Sequence, residues 1–231
     1  MDLPKLLTPE YEATLPSGKN VKFRPFLVKE EKILMMLKET DEFSKVLTTM
    51  KKVVKNCLTD DISFKDMSYS DLEFLFIMMR AKSMGETVTV TATCEKCEKT
   101  YPCEVDVSLI STNKEYPKDT SVILNDGVGV VVKPVSVDAM PIVAEYSEKN
   151  PVSVLYFVIE AIVTPEQMYK FDEMTQDDQT KFIDSLTLPQ LQKIMAKVEE
   201  FPRCAIKSKN ICPHCGAENE IVVEGLENFF T

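Results

Sequence analysis

A chain of 231 residues with 44% hydrophobic and 28% charged residues has the composition of a soluble globular protein, large enough for one domain or two small ones. Its net charge of −10 argues against a nucleic-acid binder, because phosphate contacts need basic surface. The longest apolar run, Val152 to Val163, is broken by Ser153 and Glu160 and is too short to span a membrane.

Tyr11 to Leu15 alternates, Pro16-Ser-Gly-Lys19 turns, and Val21 to Phe26 is extended again, which predicts a β-hairpin. Lys29 to Lys38 reads as a helix with Ile33, Leu34 and Leu37 on one face. Phe43, Val46, Leu47, Met50, Val53, Val54, Cys57 and Leu58 recur at spacings of three and four, the clearest amphipathic helix in the chain. That spacing puts Cys57 on the apolar face, as a packing residue. Ser70-Asp-Leu-Glu73 is a capping box opening a helix to about Lys82. Apolar residues surround that helix, so it belongs at the centre of a core. Its methionines fill space there, in preference to forming an adaptable binding surface.

Thr87 to Thr93 and Tyr101 to Val107 alternate as strands on either side of Cys94-Glu-Lys-Cys97, with Cys103 on the apolar face. Residues 111–120 read as a polar linker. Ser121 to Leu124 and Val128 to Pro134 flank the turn Asn125-Asp-Gly127, a second hairpin. A helical stretch follows between Val137 and Ser147. Asn150-Pro151 then caps a buried helix over Val152 to Val163. Thr164-Pro-Glu-Gln167 and Thr187-Leu-Pro-Gln190 read as further capping boxes, the latter opening a helix with Leu191, Ile194, Met195 and Val198. Extended sequence leads into Cys212-Pro-His-Cys215-Gly216, and Ile221 to Val223 closes as a strand.

One C-x-x-C turn supplies half of a tetrahedral zinc site, and two supply all of it. Cys94, Cys97, Cys212 and Cys215 are therefore the candidate ligands of one structural zinc, although 114 residues separate Cys97 from Cys212. The glycine after Cys215 suits such a turn, and Glu98 stands at the corresponding place in the first. The same element order recurs at an offset of 118 to 119 residues, with Leu72, Leu75 and Met79 matching Leu191, Ile194 and Val198. The expected fold is α+β: two pseudo-repeated halves, 1–112 and 113–231, each a β-hairpin, helices and a strand–CxxC–strand zinc knuckle. The halves join at the shared zinc in one compact unit.

Seven cysteines, and an N-terminus without basic and apolar signal regions, point to a reducing compartment. Cys-Pro-His-Cys also occurs in thioredoxin-like oxidoreductases, where it opens a helix that lowers the thiol pKa. Here Gly-Ala-Glu-Asn-Glu and a strand follow it. His214 is the only histidine, and no Walker loop, G-x-G-x-x-G or G-x-S-x-G is present. No catalytic set is expected, and the chain does not read as an enzyme. Residues 116–231 carry net −8 and residues 1–115 net −2, so the second half suits a basic protein partner as well as a plain solvated surface.

The run Leu15-Pro-Ser-Gly-Lys-Asn-Val-Lys-Phe-Arg-Pro-Phe-Leu-Val-Lys-Glu-Glu-Lys32 is the most distinctive stretch of the chain. With Asn56-Cys57-Leu58, Leu72-Glu-Phe-Leu75 and Arg80-Ala-Lys-Ser83, it resembles the baseplate hub assembly proteins of T-even-type contractile-tailed phages, over at least residues 11–97. The resemblance implies a non-enzymatic role as hub subunit or assembly chaperone. It implies other baseplate hub proteins as partners, with neither nucleic acid nor membrane. It places the protein in the host bacterial cytoplasm or the virion baseplate. It carries no catalytic residue. The rival from another class is a zinc-ribbon transcription or nucleic-acid adaptor, supported by Lys96, Lys99, Lys207 and Lys209 near the cysteine turns.

Overall fold

The computed structural model describes residues 6–36, 42–64, 67–125, 127–146 and 150–224. In chain order its elements are β1 (Tyr11–Thr14), β2 (Asn20–Phe23), α1 (Val28–Met35), α2 (Phe43–Cys57), α3 (Tyr69–Met84), β3 (Thr87–Thr93), β4 (Thr100–Asp106) and β5 (Ser111–Thr112). There follow β6 (Ser121–Asn125), β7 (Val128–Val132), α4 (Met140–Tyr146), α5 (Leu155–Val158), β8 (Ile159–Val163), β9 (Met168–Lys170), α6 (Gln176–Asp184), α7 (Leu188–Val198), β10 (Cys204–Ile211) and β11 (Glu218–Val223). The class is α+β, as the sequence predicts. Leu37, Lys38, Asp126 and Ser147, which the sequence reading also used, lie outside the described residues.

The chain divides into two compact units. One holds residues 1–62, 70–113 and 203–231, and the other residues 63–69 and 114–202. The boundary differs from the sequence halves 1–112 and 113–231, because the last strands return to the first unit. The cause is backbone pairing: β5 pairs with β10 through Thr112↔Cys204 and Ser111↔Ala205. The residues 111–112 expected in a linker are thus an edge strand. Next to them Asn113 N–H donates to Arg203 O at 3.1 Å, and Arg203 N–H to Asn113 Oδ1 at 2.9 Å.

In the first unit β1 and β2 form the expected hairpin. Its turn closes through Leu15 N–H to Lys19 O and Gly18 N–H to Leu15 O, both 2.8 Å, with Gly18 at φ 84°. The three-and-four spacing of α2 buries Leu47, Met50, Val53, Val54 and Cys57. α3 begins at Tyr69, one residue ahead of the expected cap Ser70, and is buried all round: Leu72, Leu75, Phe76, Ile77 and Met79 are each at most 1% exposed.

The segment after β2 ties these elements together. Arg24 N–H donates to Cys57 O at 2.9 Å, and its guanidinium to Asn56 O at 2.7 Å, at the C-terminal end of α2, where helix carbonyls lack intrahelical partners. The guanidinium also reaches both carboxylate oxygens of Glu30 at 3.2 and 3.3 Å. Glu30 is fully buried and accepts Leu27 N–H at 2.9 Å at the start of α1. Phe26 packs on Phe76, with ring centroids 5.7 Å apart, and its N–H donates to Ser83 Oγ at 2.7 Å. The run Arg24 to Glu30 is therefore a packing knot that joins the hairpin to α1, α2 and α3.

In the second unit β6, β7, β8 and β9 form one antiparallel sheet in that order. Val122, Leu124, Val130, Val132, Ile162, Ile194 and Phe201 belong to its buried core. The Thr187 capping box is present: Thr187 N–H donates to Gln190 Oε1 at 2.8 Å, and Gln190 Nε2 donates to Leu124 O at 3.3 Å, tying α7 to β6.

Two sequence expectations fail here. The helix expected over Val152 to Val163 is a 3-10 turn (Pro151–Val154), one turn of α-helix (α5) and then the strand β8, which pairs with β7 and β9. A short apolar run is compatible with buried helix or buried strand, and the β-branched Ile159, Ile162 and Val163 favour the pleated sheet. Thr164-Pro-Glu-Gln167 is the turn between β8 and β9, closed by Thr164 N–H to Gln167 O at 2.9 Å, and caps no helix. The sequence reading also passed over α6, whose Thr175 caps through Asp178 N–H at 3.2 Å. The pseudo-repeat is not seen as a whole, because β8 and β9 widen the second hairpin into a four-stranded sheet while β1 and β2 stay two-stranded.

Glu30 supplies a test of the knot. Burial raises its pKa, but the Arg24 hydrogen bonds, Leu27 N–H and the charges of Arg24 and Lys29 outweigh it and hold the carboxyl below its ordinary 4.5. A depressed carboxyl contributes stability above its unfolded pKa and loses it as pH falls through the folded value. Glu30→Gln is expected to cost roughly 1.5–3 kcal/mol at pH 7. Urea melts at pH 7 and pH 3 check this: the gap to wild type narrows at the lower pH.

Candidate metal centre

The two cysteine turns are built alike. β3 and β4 pair from Thr87↔Asp106 to Thr93↔Thr100, and β10 and β11 from Ile206↔Val223 to Ile211↔Glu218. In the first turn Cys94 N–H donates to Lys99 O at 3.0 Å, and Glu98 N–H to Cys94 O at 2.8 Å. In the second, Cys212 N–H donates to Ala217 O at 2.8 Å, and Gly216 N–H to Cys212 O at 2.9 Å. Both turns then need a left-handed residue, which is Glu98 at φ 57° in one and Gly216 at φ 72° in the other.

The four thiols meet reciprocally: the first cysteine of each turn faces the second of the other. Cys94 Sγ lies 3.6 Å from Cys215 Sγ, and Cys97 Sγ 3.8 Å from Cys212 Sγ. All four sulfurs lie within 4.8 Å of one another. A tetrahedral ion with bonds of about 2.3 Å has sulfur–sulfur edges of about 3.8 Å, so the donor set fits such an ion. A disulfide, at about 2.05 Å, is far shorter, and all seven cysteines are free. Cys94 and Cys212 are buried, and Cys97 and Cys215 half-buried.

The charges in the cluster interact. Burial raises the Cys94 thiol, but backbone N–H groups of Cys97 and Lys96, with the thiols of Cys215 and Cys212, outweigh it and bring the pKa down. At Cys215 the Ala217 N–H lowers the pKa, but burial and the thiols of Cys94, Cys97 and Cys212 outweigh it and push it up. A first thiolate thus opposes the next, and a cation among the four sulfurs would relieve that opposition.

The remaining cysteines are packing residues. Burial pushes Cys57 up to about 11 and also raises Cys103 and Cys204. Cys204 Sγ–H donates to Ser70 O at 3.3 Å. His214 is exposed, and the residues after Cys215 lead into β11, so no helix follows the motif as in a thioredoxin-like site.

The family described as T4 bacteriophage base plate protein matches residues 8–231. The chain belongs to that family. No curated protein and no solved structure matches it. The baseplate family is the one its N-terminal run resembles, and that run is the knot around Arg24. Among the described residues no helix is long and apolar enough to cross a membrane.

The structure brings together the four cysteines that the C-x-x-C spacing singles out. It also shows two buried residues that the sequence does not single out, Asn219 on β11 and Tyr101 on β4, hydrogen-bonded to each other at 3.3 Å. Their common signal is position, since each follows the second cysteine of its turn by four residues.

Glu98 and Gly216 predict opposite responses. A non-glycine residue in the left-handed region costs about 1 kcal/mol or more. Glu98→Gly is expected to raise stability by up to about 1 kcal/mol, and Gly216→Ala to lower it by about the same. Space does not limit the second change, since an added Cβ at Gly216 meets nothing within 4 Å. Thermal melts of both variants check the pair.

Proposed function

We propose that this baseplate protein is a non-enzymatic component of the baseplate hub, acting as hub subunit or assembly chaperone, whose first unit is closed by one structural zinc held by Cys94, Cys97, Cys212 and Cys215. The match over residues 8–231 supports a baseplate role, and the hub reading rests on the resemblance of the run around Arg24, where Arg24 and Glu30 pair. The observation that supports the metal is four thiols at tetrahedral spacing on two matching turns. Zinc supplies charge neutralisation and a fixed cross-link there. The chain's own part is to hold the thiols and to carry a surface for its partners. Residues 114–202 hold most of the acidic excess of the chain, which fits a basic face on another hub protein. Assembly in the host bacterial cytoplasm is part of the same reading.

Exposed Lys96, Lys99, Lys207 and Lys209 near the turns favour a nucleic-acid adaptor instead. They are interleaved with Glu95, Glu98, Glu218 and Glu220, and Lys209 lies 3.4 Å from Glu218, so they form no uniform basic patch.

Elemental analysis of freshly reduced protein is expected to find about one zinc per chain; none would remove the metal from the reading. Cys94→Ser and Cys212→Ser should lose the metal and melt well below wild type. Cys57→Ala and Cys103→Ala should keep it and cost only roughly 1–3 kcal/mol of packing. Equal losses in all four variants would show the ligands to be misassigned.

Co-purification from infected cells, with an N-terminal tag, tests the role. Recovery with hub proteins is the expected result, and retention in finished particles separates subunit from chaperone. Recovery with RNA polymerase or DNA would favour the adaptor.

A further inference from the structure

The two cysteine turns are joined by more than their sulfurs. Asn219, on β11, is 4% exposed. Its Oδ1 accepts Glu95 N–H at 3.0 Å, from inside the first C-x-x-C turn. Its Nδ2 donates to Ala217 O at 3.1 Å, in its own turn, and to Tyr101 Oη at 3.3 Å, on β4. One amide therefore bridges both hairpins with its oxygen and both amide hydrogens engaged. Tyr101, 3% exposed, stands 118 residues before Asn219, the same offset that separates Cys94 from Cys212. The side chains at corresponding positions of the two hairpins thus bond to each other, four residues after the second cysteine of each turn.

We propose that Asn219 is the positioning residue of the cysteine centre: it fixes the separation of the two turns so that the four-thiol site is formed before any metal enters. This rests on the reading of the cluster as a metal site. A buried amide that loses its partners is costly, so Asn219 favours the one spacing of the turns at which all its hydrogen bonds are made. The hydrogen bond to Glu95 N–H matters most, because Glu95 adjoins Cys94 in the chain and any shift of the turn moves that thiol. Groups that hold ligands in place commonly change metal affinity by about 10–100-fold when removed.

The test compares wild type, Asn219→Ala and Tyr101→Phe in the full chain. In metal-free protein, limited oxidation with diamide followed by peptide mapping reads the thiol spacing. Wild type is expected to form disulfides between turns, Cys94–Cys215 and Cys97–Cys212. Asn219→Ala should shift toward Cys94–Cys97 and Cys212–Cys215, within each turn. Cobalt(II) titration reads the second consequence through the visible bands of a tetrahedral thiolate complex. Asn219→Ala is expected to bind about 10–100-fold more weakly, with unchanged far-ultraviolet circular dichroism. An unchanged disulfide pattern in Asn219→Ala overturns the proposal. If wild type binds no metal, the metal reading fails while the disulfide pattern still decides the role of Asn219. If Asn219→Ala does not fold, the same pattern in Tyr101→Phe, which removes one hydroxyl, decides.

Discussion

Four thiol groups from two distant turns lie within 4.8 Å of one another, and the first unit has to be threaded so that they meet. Each pair comes from a turn that its own strands can make locally, yet the pairs stand 118 residues apart in the chain. Local sequence therefore shapes each half of the centre, and the return of β10 and β11 to the first unit brings the halves together. Charge decides what happens next. The neighbouring thiols favour ionisation of Cys94 and oppose that of Cys215, so the first negative charge in the cluster disfavours the next.

The second dependence is on Arg24. Its guanidinium serves two needs at once, the Asn56 carbonyl near the end of α2 and the buried carboxylate opening α1, while its backbone N–H takes the Cys57 carbonyl. A buried carboxylate is tolerated only with a charged, hydrogen-bonded partner, and Glu30 has one. The most distinctive stretch of the chain therefore has a structural task. A family can be recognised by residues whose task is to lock a hairpin onto three helices.

What was legible in the sequence follows the range of the forces involved. α2, the first hairpin, both cysteine turns and the Thr187 cap were read correctly, because periodicity and capping act over a few residues. Val152 to Val163 was misread because its fate depends on β7 and β9, which lie elsewhere in the chain. Thr164 and Thr187 open the same kind of signature, yet only the second caps a helix, since the first is held between two paired strands. The four cysteines were legible from spacing alone. Asn219 was not, because a lone asparagine on a strand has no pattern, and its meaning appears only when Glu95 and Tyr101 come to lie beside it.

The topology has a further consequence for how the centre holds. Residues 114–202 leave the first unit at Asn113 and re-enter at Arg203, and those two residues are bonded to each other. Pairing of β5 with β10 therefore closes the long excursion before the thiols do. A cross-link across a loop of about 100 residues would remove roughly 4–5 kcal/mol of chain entropy from an otherwise open unfolded chain. That gain belongs to the unfolded ensemble; in the folded molecule strand pairing and the Asn219 hydrogen bonds also link the parts of the chain that carry the two turns. The four thiols thus meet at the end of a long loop whose ends are already paired.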